Sequence, residues 1–366
     1  MARKLKSDRV LFIATILLVG LSIVMVYSAS AVVALERYQK PYLFLTKQMM
    51  WAALGIAVLG VVMRIDYRNY REPAFIWTCL GIVIVGLIAV LFSAPVNNAR
   101  RWLGLGTLGI QPSELAKLSA IFFIAALLER RMHRINELGY ALFPIGMAVI
   151  VLVGLILMEP DFGTSMSLAL IAAVMVFAAG LNYTYIFGAA LAALPAVAIL
   201  VMGTGYRRRR VLTFLNPWED PLGDGFQIIQ SLIAVGTGGI WGKGLMNGVQ
   251  KLFYLPEPHT DFIYSVIAEE LGLVGATVVL ICFCVITWRG LRVALHAPDT
   301  FGAFLALGLT TMVAVQAFVN ISVVLGLMPT KGIPLPFVSA GGSSLLINLL
   351  GMGILLNVSQ HAAPEA

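Results

Sequence analysis

The sequence predicts an all-α polytopic integral membrane protein with ten transmembrane helices and one large extracytoplasmic loop between helices 7 and 8. Composition is the first reason: of 366 residues, 60% are hydrophobic and 12% charged, with a mean hydropathy of +0.91, whereas a soluble domain is about a quarter charged. The second is length. A hydrocarbon core about 30 Å thick takes roughly 20 apolar residues to cross. Such runs recur ten times, near 10–33, 44–63, 73–93, 113–128, 139–158, 162–180, 185–203, 262–288, 302–327 and 335–358. The third is contrast: 204–261 is the one long polar stretch, and it closes with Asp261 at the edge of an apolar run. A single membrane domain over 1–366 follows, with 204–261 as a loop within it.

The net charge of +7 reads as topology. With the N-terminus inside, the inner loops hold twelve Lys and Arg (Arg3, Lys4, Lys6, Arg9, Arg64, Arg68, Arg71, Arg130, Arg131, Arg134, Arg289, Arg292). The short outer loops hold six (Arg37, Lys40, Lys47, Arg100, Arg101, Lys331), which is the bias expected of cytoplasmic loops. Both termini are then cytoplasmic. No aromatic-basic module supports a nucleic-acid partner. Cys79, Cys282 and Cys284 fall in apolar runs, indicating neither a disulfide framework nor a zinc site. The first run has a basic flank but is too long for a signal-peptide core, and Tyr27-Ser28-Ala29-Ser30 leads into more apolar sequence. It reads as an uncleaved anchor.

Taken in order, the first two runs carry little chemistry; the tyrosines near Arg64-Ile65-Asp66-Tyr67-Arg68 suit a headgroup interface. After the third run comes Asn97-Asn98-Ala99-Arg100-Arg101-Trp102-Leu103-Gly104-Leu105-Gly106, where two adjacent arginines break the charge rule. Guanidinium binds phosphate in a bidentate fork, so an anion seat and a headgroup anchor both stand. Gln111-Pro112-Ser113-Glu114-Leu115-Ala116-Lys117 starts the fourth run. Glu114 and Lys117, three apart, share a helical face, and an ion pair at the bilayer edge must face the bundle or a hydrated cavity. Glu159-Pro160-Asp161-Phe162-Gly163-Thr164 is a tight turn between runs; Asp161 suits a helix cap, while Glu159 and Asp161, two acids at one interface facing a possible cavity, keep a site reading open.

The outer segment opens on Arg207, Arg208, Arg209 and Arg210, suited to anionic headgroups or a diphosphate at a membrane surface. Residues 225–234 have amphipathic helical spacing and fit a helix lying on the outer leaflet. Gly236-Thr237-Gly238-Gly239-Ile240-Trp241-Gly242-Lys243-Gly244 is not a Walker A loop, since Thr237 and Gly244 stand where that motif needs Gly and Ser or Thr; a plain turn and a flexible loop presenting Lys243 to phosphate are the two readings. Asp261, Ser265 and Glu269 follow at i, i+4 and i+8, with Glu270 beside them, predicting one acidic stripe, with Thr260-Asp261 also suited to capping. Carboxylates in hydrocarbon cost several kcal/mol, so acids kept there mark a site. Pro329 to Ser344, dense in Pro, Gly and Ser, predicts a broken helix start facing an outer cavity.

Together His259-Thr260-Asp261-Phe262, Glu269-Glu270-Leu271-Gly272, Gln111 to Lys117, Asp161-Phe162-Gly163-Thr164 and Pro336 to Ser344 resemble the SEDS family, whose members include RodA, FtsW and the sporulation protein SpoVE. The likeness runs in order along nearly the whole chain. Pro329-Thr330-Lys331-Gly332 and Gly341-Gly342-Ser343-Ser344-Leu345 are more similar to the division member FtsW than to the elongation member RodA, while Ala340 replaces the family's usual Tyr. The resemblance implies a peptidoglycan glycosyltransferase of the bacterial cytoplasmic membrane. Such an enzyme polymerises lipid II, the undecaprenyl-diphosphate-linked disaccharide pentapeptide, into glycan strands during cell division or elongation. It works on the extracytoplasmic side with a class B penicillin-binding protein transpeptidase and other division or elongation proteins.

By motif Asp261 takes the place of the family's essential aspartate. Extending a β-1,4 glycan from an α-linked diphosphate donor inverts the anomeric carbon, which calls for one base on the acceptor hydroxyl and cations on the departing diphosphate. Candidate substrate-binding residues are Arg101, Glu114, Lys117, Asp161, Arg207, Arg208, Arg209, Arg210, Lys243, Lys251, His259, Glu269, Ser339 and Ser343. A divalent cation, Mg2+ or Mn2+, is implied by the family alone; no ligand spacing in the chain identifies its site.

Two other classes compete. A flippase or transporter of the same lipid-linked precursor also needs buried charges and broken helices, but it needs a polar path across the bilayer centre, whereas these acids cluster towards the outer face. A non-enzymatic scaffold explains the apolar surface but not the acids and arginines.

Overall fold

A computed structural model describes residues 7–94, 100–104, 109–203 and 205–362. Among them the regular secondary structure is helical, apart from one isolated bridge between Leu103 and Ile110. The helices are α1 (Arg9–Tyr38), α2 (Leu43–Val62), α3 (Pro73–Leu91), α4 (Pro112–Arg131), α5 (Phe143–Met158), α6 (Phe162–Ala178), α7 (Tyr183–Met202), α8 (Gly205–Leu215), α9 (Phe226–Gly238), α10 (Ile263–Leu295), α11 (Thr300–Val324) and α12 (Gly342–Ser359). Seven segments are long and apolar enough to cross a membrane: α1, α2, α3, Gly139–Met158, α10, α11 and α12. This is a polytopic membrane protein.

The helix starts follow ordinary capping chemistry. The Asp8 carboxylate accepts from the amides of Val10 and Leu11, and Asp299 from that of Gly302. A cap of this kind is worth about 1 kcal/mol. Pro73 and Pro112 occupy first-turn positions, where the missing N–H costs nothing. The core lies along α4, α11 and α12, which are buried along most of their length. Ser359 near the end of α12 accepts from the amide of Asp8, whose carboxylate pairs with Arg289 at 2.7 Å. The two ends of the described chain therefore meet at one end of the bundle, the end to which α10 runs from Asp261.

Three sequence expectations change. The last apolar run becomes helical only from Gly342, because Pro334, Pro336 and a left-handed Phe337 hold 335–341 out of helix. The helix α10 reaches Leu295 and is broken at Gly272 (φ 68°), a conformation that glycine adopts freely, where the backbone of Ile240 and Gly242 packs against it. Residues 225–234 do form a helix, α9, but its face packs into protein rather than resting free: Ser231 Oγ lies 2.7 Å from both Ser265 Oγ and the Val324 carbonyl.

Candidate active site

Asp261 stands just before α10, in turn rather than helix, so it does not share the stripe of Ser265 and Glu269. Nor is it spent on capping: the cap position of α10 is Phe262, with no side-chain bond. Its position is set from below by Asn320 in α11, whose Nδ2 donates to the Asp261 and Ile333 carbonyls, both at 2.8 Å. The half-buried carboxylate has no hydrogen-bond partner among the described residues. Burial, then Glu257, raise its pKa to about 7; Arg210 and Arg101 oppose, and Asp161 adds a smaller push. A carboxyl poised there accepts and releases a proton near neutrality.

The strap Thr330–Lys331–Gly332–Ile333 ties this acid to the start of α6. Arg210 Nη1 donates to the Thr330 carbonyl at 2.9 Å. The Lys331 ammonium sits 3.9 Å above the Phe162 ring, a cation–π contact. Gly332 lies against the Asp261 carboxylate, and Ile333 against Gly163. Asp161 caps α6, accepting from the Thr164 amide at 3.1 Å and its hydroxyl at 2.8 Å, and from Gln111 Nε2 at 3.1 Å. Arg101 crosses above the same turn, with Nη2 2.6 Å from the Pro160 carbonyl and Nε 3.4 Å from that of Glu159. Asp261, Asp161, Arg101 and Arg210 thus converge from four distant stretches of chain.

The row of arginines is not a single patch, because a helix turns each successive residue by about 100°. Arg209 pairs with Asp224 at 3.4 Å in the open, Arg208 is exposed, and Arg210 turns to the strap; the Arg207 side chain lies outside the described residues, as do Asn97 to Ala99, Leu105 and Gly106. Lys117 and Glu114 form a 2.9 Å ion pair at 2% and 4% side-chain exposure, leaving Glu114 Oε2 without a partner. His259 is buried against Phe44, ring centroids 4.5 Å apart, with Nδ1 unpartnered. Burial lowers its pKa, with Arg37 adding and Glu257 opposing. Ser339 Oγ accepts from the Leu335 amide and donates to the Thr260 carbonyl, and Ala340 donates to the His259 carbonyl. That pins the loop before α12 to the chain beside Asp261. Ser343 is buried with its hydroxyl unpartnered.

Glu269, Lys243 and Lys251 belong to a separate cluster. Glu269 accepts from Lys243 at 2.8 Å and from the Val249 amide at 2.9 Å; Glu270 accepts from Lys251 at 2.5 Å, Ser28 at 2.7 Å and the Met246 amide at 3.0 Å. Both acids are fully buried and satisfied. The glycine-rich loop folds onto this cluster: the Lys243 and Gly244 amides donate to the Glu269 and Glu270 carbonyls, both at 3.0 Å. Here the turn reading of that loop prevails. Among the described residues no group of three or more His, Cys, Asp or Glu side chains is placed to hold a metal ion.

The FtsW/RodA/SpoVE family model, described as a cell cycle protein, matches residues 8–363. The chain belongs to the FtsW/RodA/SpoVE family. It is 45% identical over 356 residues to the probable peptidoglycan glycosyltransferase FtsW of Geobacter sulfurreducens (strain DL-1 / KN400), covering 97% of this chain and 95% of that protein. It is 42% identical over 366 residues to the stage V sporulation protein E of Bacillus subtilis (strain 168), covering 98% and 99%. Among solved structures it matches a chain from a peptidoglycan synthase complex coordinating polymerization and crosslinking, with a TM-score of 0.79 at 32% identity, covering 96% and 97% of the two chains. The Thermus thermophilus rod shape determining protein RodA matches with a TM-score of 0.72 at 27% identity, covering 98% of each chain.

Within this family chain, the sequence reading missed Lys331 and Asn320, and it raised Glu159 only as the second acid beside Asp161. Glu159 is fully buried with both carboxylate oxygens unpartnered, Lys331 caps the Phe162 ring, and Asn320 supports the backbone of Asp261. An amide within the apolar α11 was the available signal for Asn320. The signal for Glu159 was its pairing with Asp161 at one interface; its complete burial without a partner was not legible there.

Proposed function

We propose that this chain, a peptidoglycan glycosyltransferase, polymerises lipid II by inverting transfer with Asp261 as general base. The carrying observation is the Asp261 carboxyl, free of hydrogen bonds among the described residues and poised near pH 7 between Arg101 and Arg210. Asp261 takes the proton of the acceptor's 4-hydroxyl as that oxygen bonds to the donor's anomeric carbon. The bond from that carbon to the diphosphate oxygen breaks on the opposite face, and the departing charge is met by Arg101, Arg210 and Lys331, with Lys117 deeper in the wall. A divalent cation, Mg2+ or Mn2+, belongs to this reading only as a counter-ion arriving with the diphosphate, and no step here runs through it.

The same reading sets the topology. The segments α4, α6 and α7 join the seven long apolar segments to make ten spans: α4 crosses because its charges are paired, and α6 and α7 because 17 and 20 residues approach the required length. Both termini then lie in the cytoplasm, with Asp261 and the 204–261 loop outside as part of one membrane domain over 1–366. The partner is a class B penicillin-binding protein transpeptidase, and the division role, as in the relatives named FtsW, is favoured over elongation.

The test is glycan-strand formation from purified lipid II by the purified protein with its transpeptidase partner. Asp261→Asn should lower turnover by about 10²- to 10⁴-fold, the usual contribution of a general base. Near wild-type turnover in that variant refutes the base assignment. If neither protein makes polymer while both move labelled lipid II between leaflets, the transporter class is correct.

A further inference from the structure

Glu159 is a buried acid at the site for which the proposed reaction has no use. Its side chain is inaccessible to solvent and neither carboxylate oxygen has a hydrogen-bond partner. An ionised carboxylate stripped of water and of donors is among the least tolerable groups in a protein, whereas a neutral acid is far less costly to bury. The charged groups around it are few. Asp161 faces it from the start of α6 and Arg101 from the loop after α3. On α4, Glu114 and Lys117 are bonded to each other, and Lys331 rests on the Phe162 ring. Arg101 is the natural counter-ion, yet its described N–H donors go to the backbone carbonyls of Glu159 and Pro160 instead.

We propose that Glu159 is a positioning residue that works as a neutral acid and holds Arg101 in the site only while it keeps its proton. With the proton on, Arg101 stays on the two carbonyls, above the turn that Asp161 caps. With the proton lost to solvent base, the new carboxylate draws the guanidinium into an ion pair and takes it from the diphosphate position. Burial pushes the Glu159 carboxyl up to about 8, Asp161 adding to the shift and Arg101 opposing it. The inference rests on the reading of Arg101 as a diphosphate ligand, and it deepens that reading by giving polymerisation an alkaline limit.

The experiment uses the full chain with its transpeptidase partner and compares wild type with Glu159→Gln in two measurements. In the first, polymerisation is followed from neutral to alkaline pH. Wild type should lose about tenfold by one unit above its midpoint, as for a single titrating group, while Glu159→Gln, an isostere of the neutral acid, keeps its neutral-pH rate throughout. In the second, the infrared difference between wild type and variant, in which the Asp261 carboxyl common to both cancels, should show a protonated-carboxyl band at neutral pH that fades through about pH 8. An unchanged alkaline loss in the variant, loss of its neutral-pH activity, failure of the variant to fold, or absence of the titrating band each overturns the proposal. If the band titrates as expected but wild type polymerises nothing at any pH, the proton state of Glu159 stands and the glycosyl-transfer reading of the site is what fails.

Discussion

The carboxylate of Asp261 lies so close to Gly332 that a Cβ at that position would stand 2.7 Å from Oδ2. The obstacle is the end of a short side chain whose backbone Asn320 holds, so the carboxylate must rotate away. Gly332→Ala should therefore displace the base while leaving the bundle intact. A 1 Å misplacement can cost about a hundredfold, and a loss of that order is expected in polymerisation turnover, with little change in thermal midpoint in detergent. Undiminished turnover would mean that the orientation of Asp261 is not critical.

The acid limb of the pH–rate profile should report Asp261. Its pKa is raised to about 7, so the base form is scarce below that pH and turnover should climb as pH rises through it. Glu257 raises the value and Arg210 lowers it. Glu257→Gln should accordingly move the limb to lower pH and Arg210→Gln to higher pH, each by up to about one unit. The same shift has a stability consequence of known sign. A carboxyl raised on folding contributes stability that is complete below its unfolded pKa and is lost as pH rises through about 7. Asp261→Asn should remove that part of the decline in thermal midpoint between the ordinary carboxyl value of 3.8 and about 7.

Much of the architecture was legible because hydrophobic length is a one-dimensional signal: a run of apolar residues needs no distant partner to declare itself. Glu114 and Lys117 were legible for the same reason, since a spacing of three on a helix puts them in contact. Asp261 and Glu269 were separated by a fact that spacing does not carry: the helix begins at Ile263, two residues after Asp261, so an i, i+8 pattern cannot put the two on one face. The strap is less legible still. Arg210 meets Thr330 across 120 positions, and the burial of Glu159 depends on tertiary packing around a turn whose sequence is ordinary.

The Glu270–Lys251 pair should behave as a structural ion pair, closed at 2.5 Å with 0% and 4% side-chain exposure. Removing one partner leaves a buried, uncompensated charge, so Lys251→Ala should cost about 3–5 kcal/mol. Lys243, at 31% side-chain exposure beside Glu269, has water to fall back on, and Lys243→Ala should cost less. Unfolding in detergent measures both. Equal losses would show that burial does not set the strength of these pairs.

Glu114 and Lys117 pose the remaining question, whether a buried ion pair in α4 only holds the helix or also serves the substrate. Lys117→Ala should destabilise by about 3–5 kcal/mol, because it strands the Glu114 carboxylate. The double variant Glu114→Gln with Lys117→Met removes both charges at similar volume and should recover most of that loss. Recovery of stability need not bring recovery of activity. Lys117 has three donors, of which Glu114 takes one at 2.9 Å, and Glu114 Oε2 is unpartnered. This spare polar capacity sits in the first turns of the helix whose preceding residue, Gln111, donates to Asp161. The expected result is a double variant that is stable but slowed at least about tenfold in polymerisation, the loss of roughly one charge-assisted hydrogen bond. A double variant both stable and fully active would reduce the pair to a helix clamp.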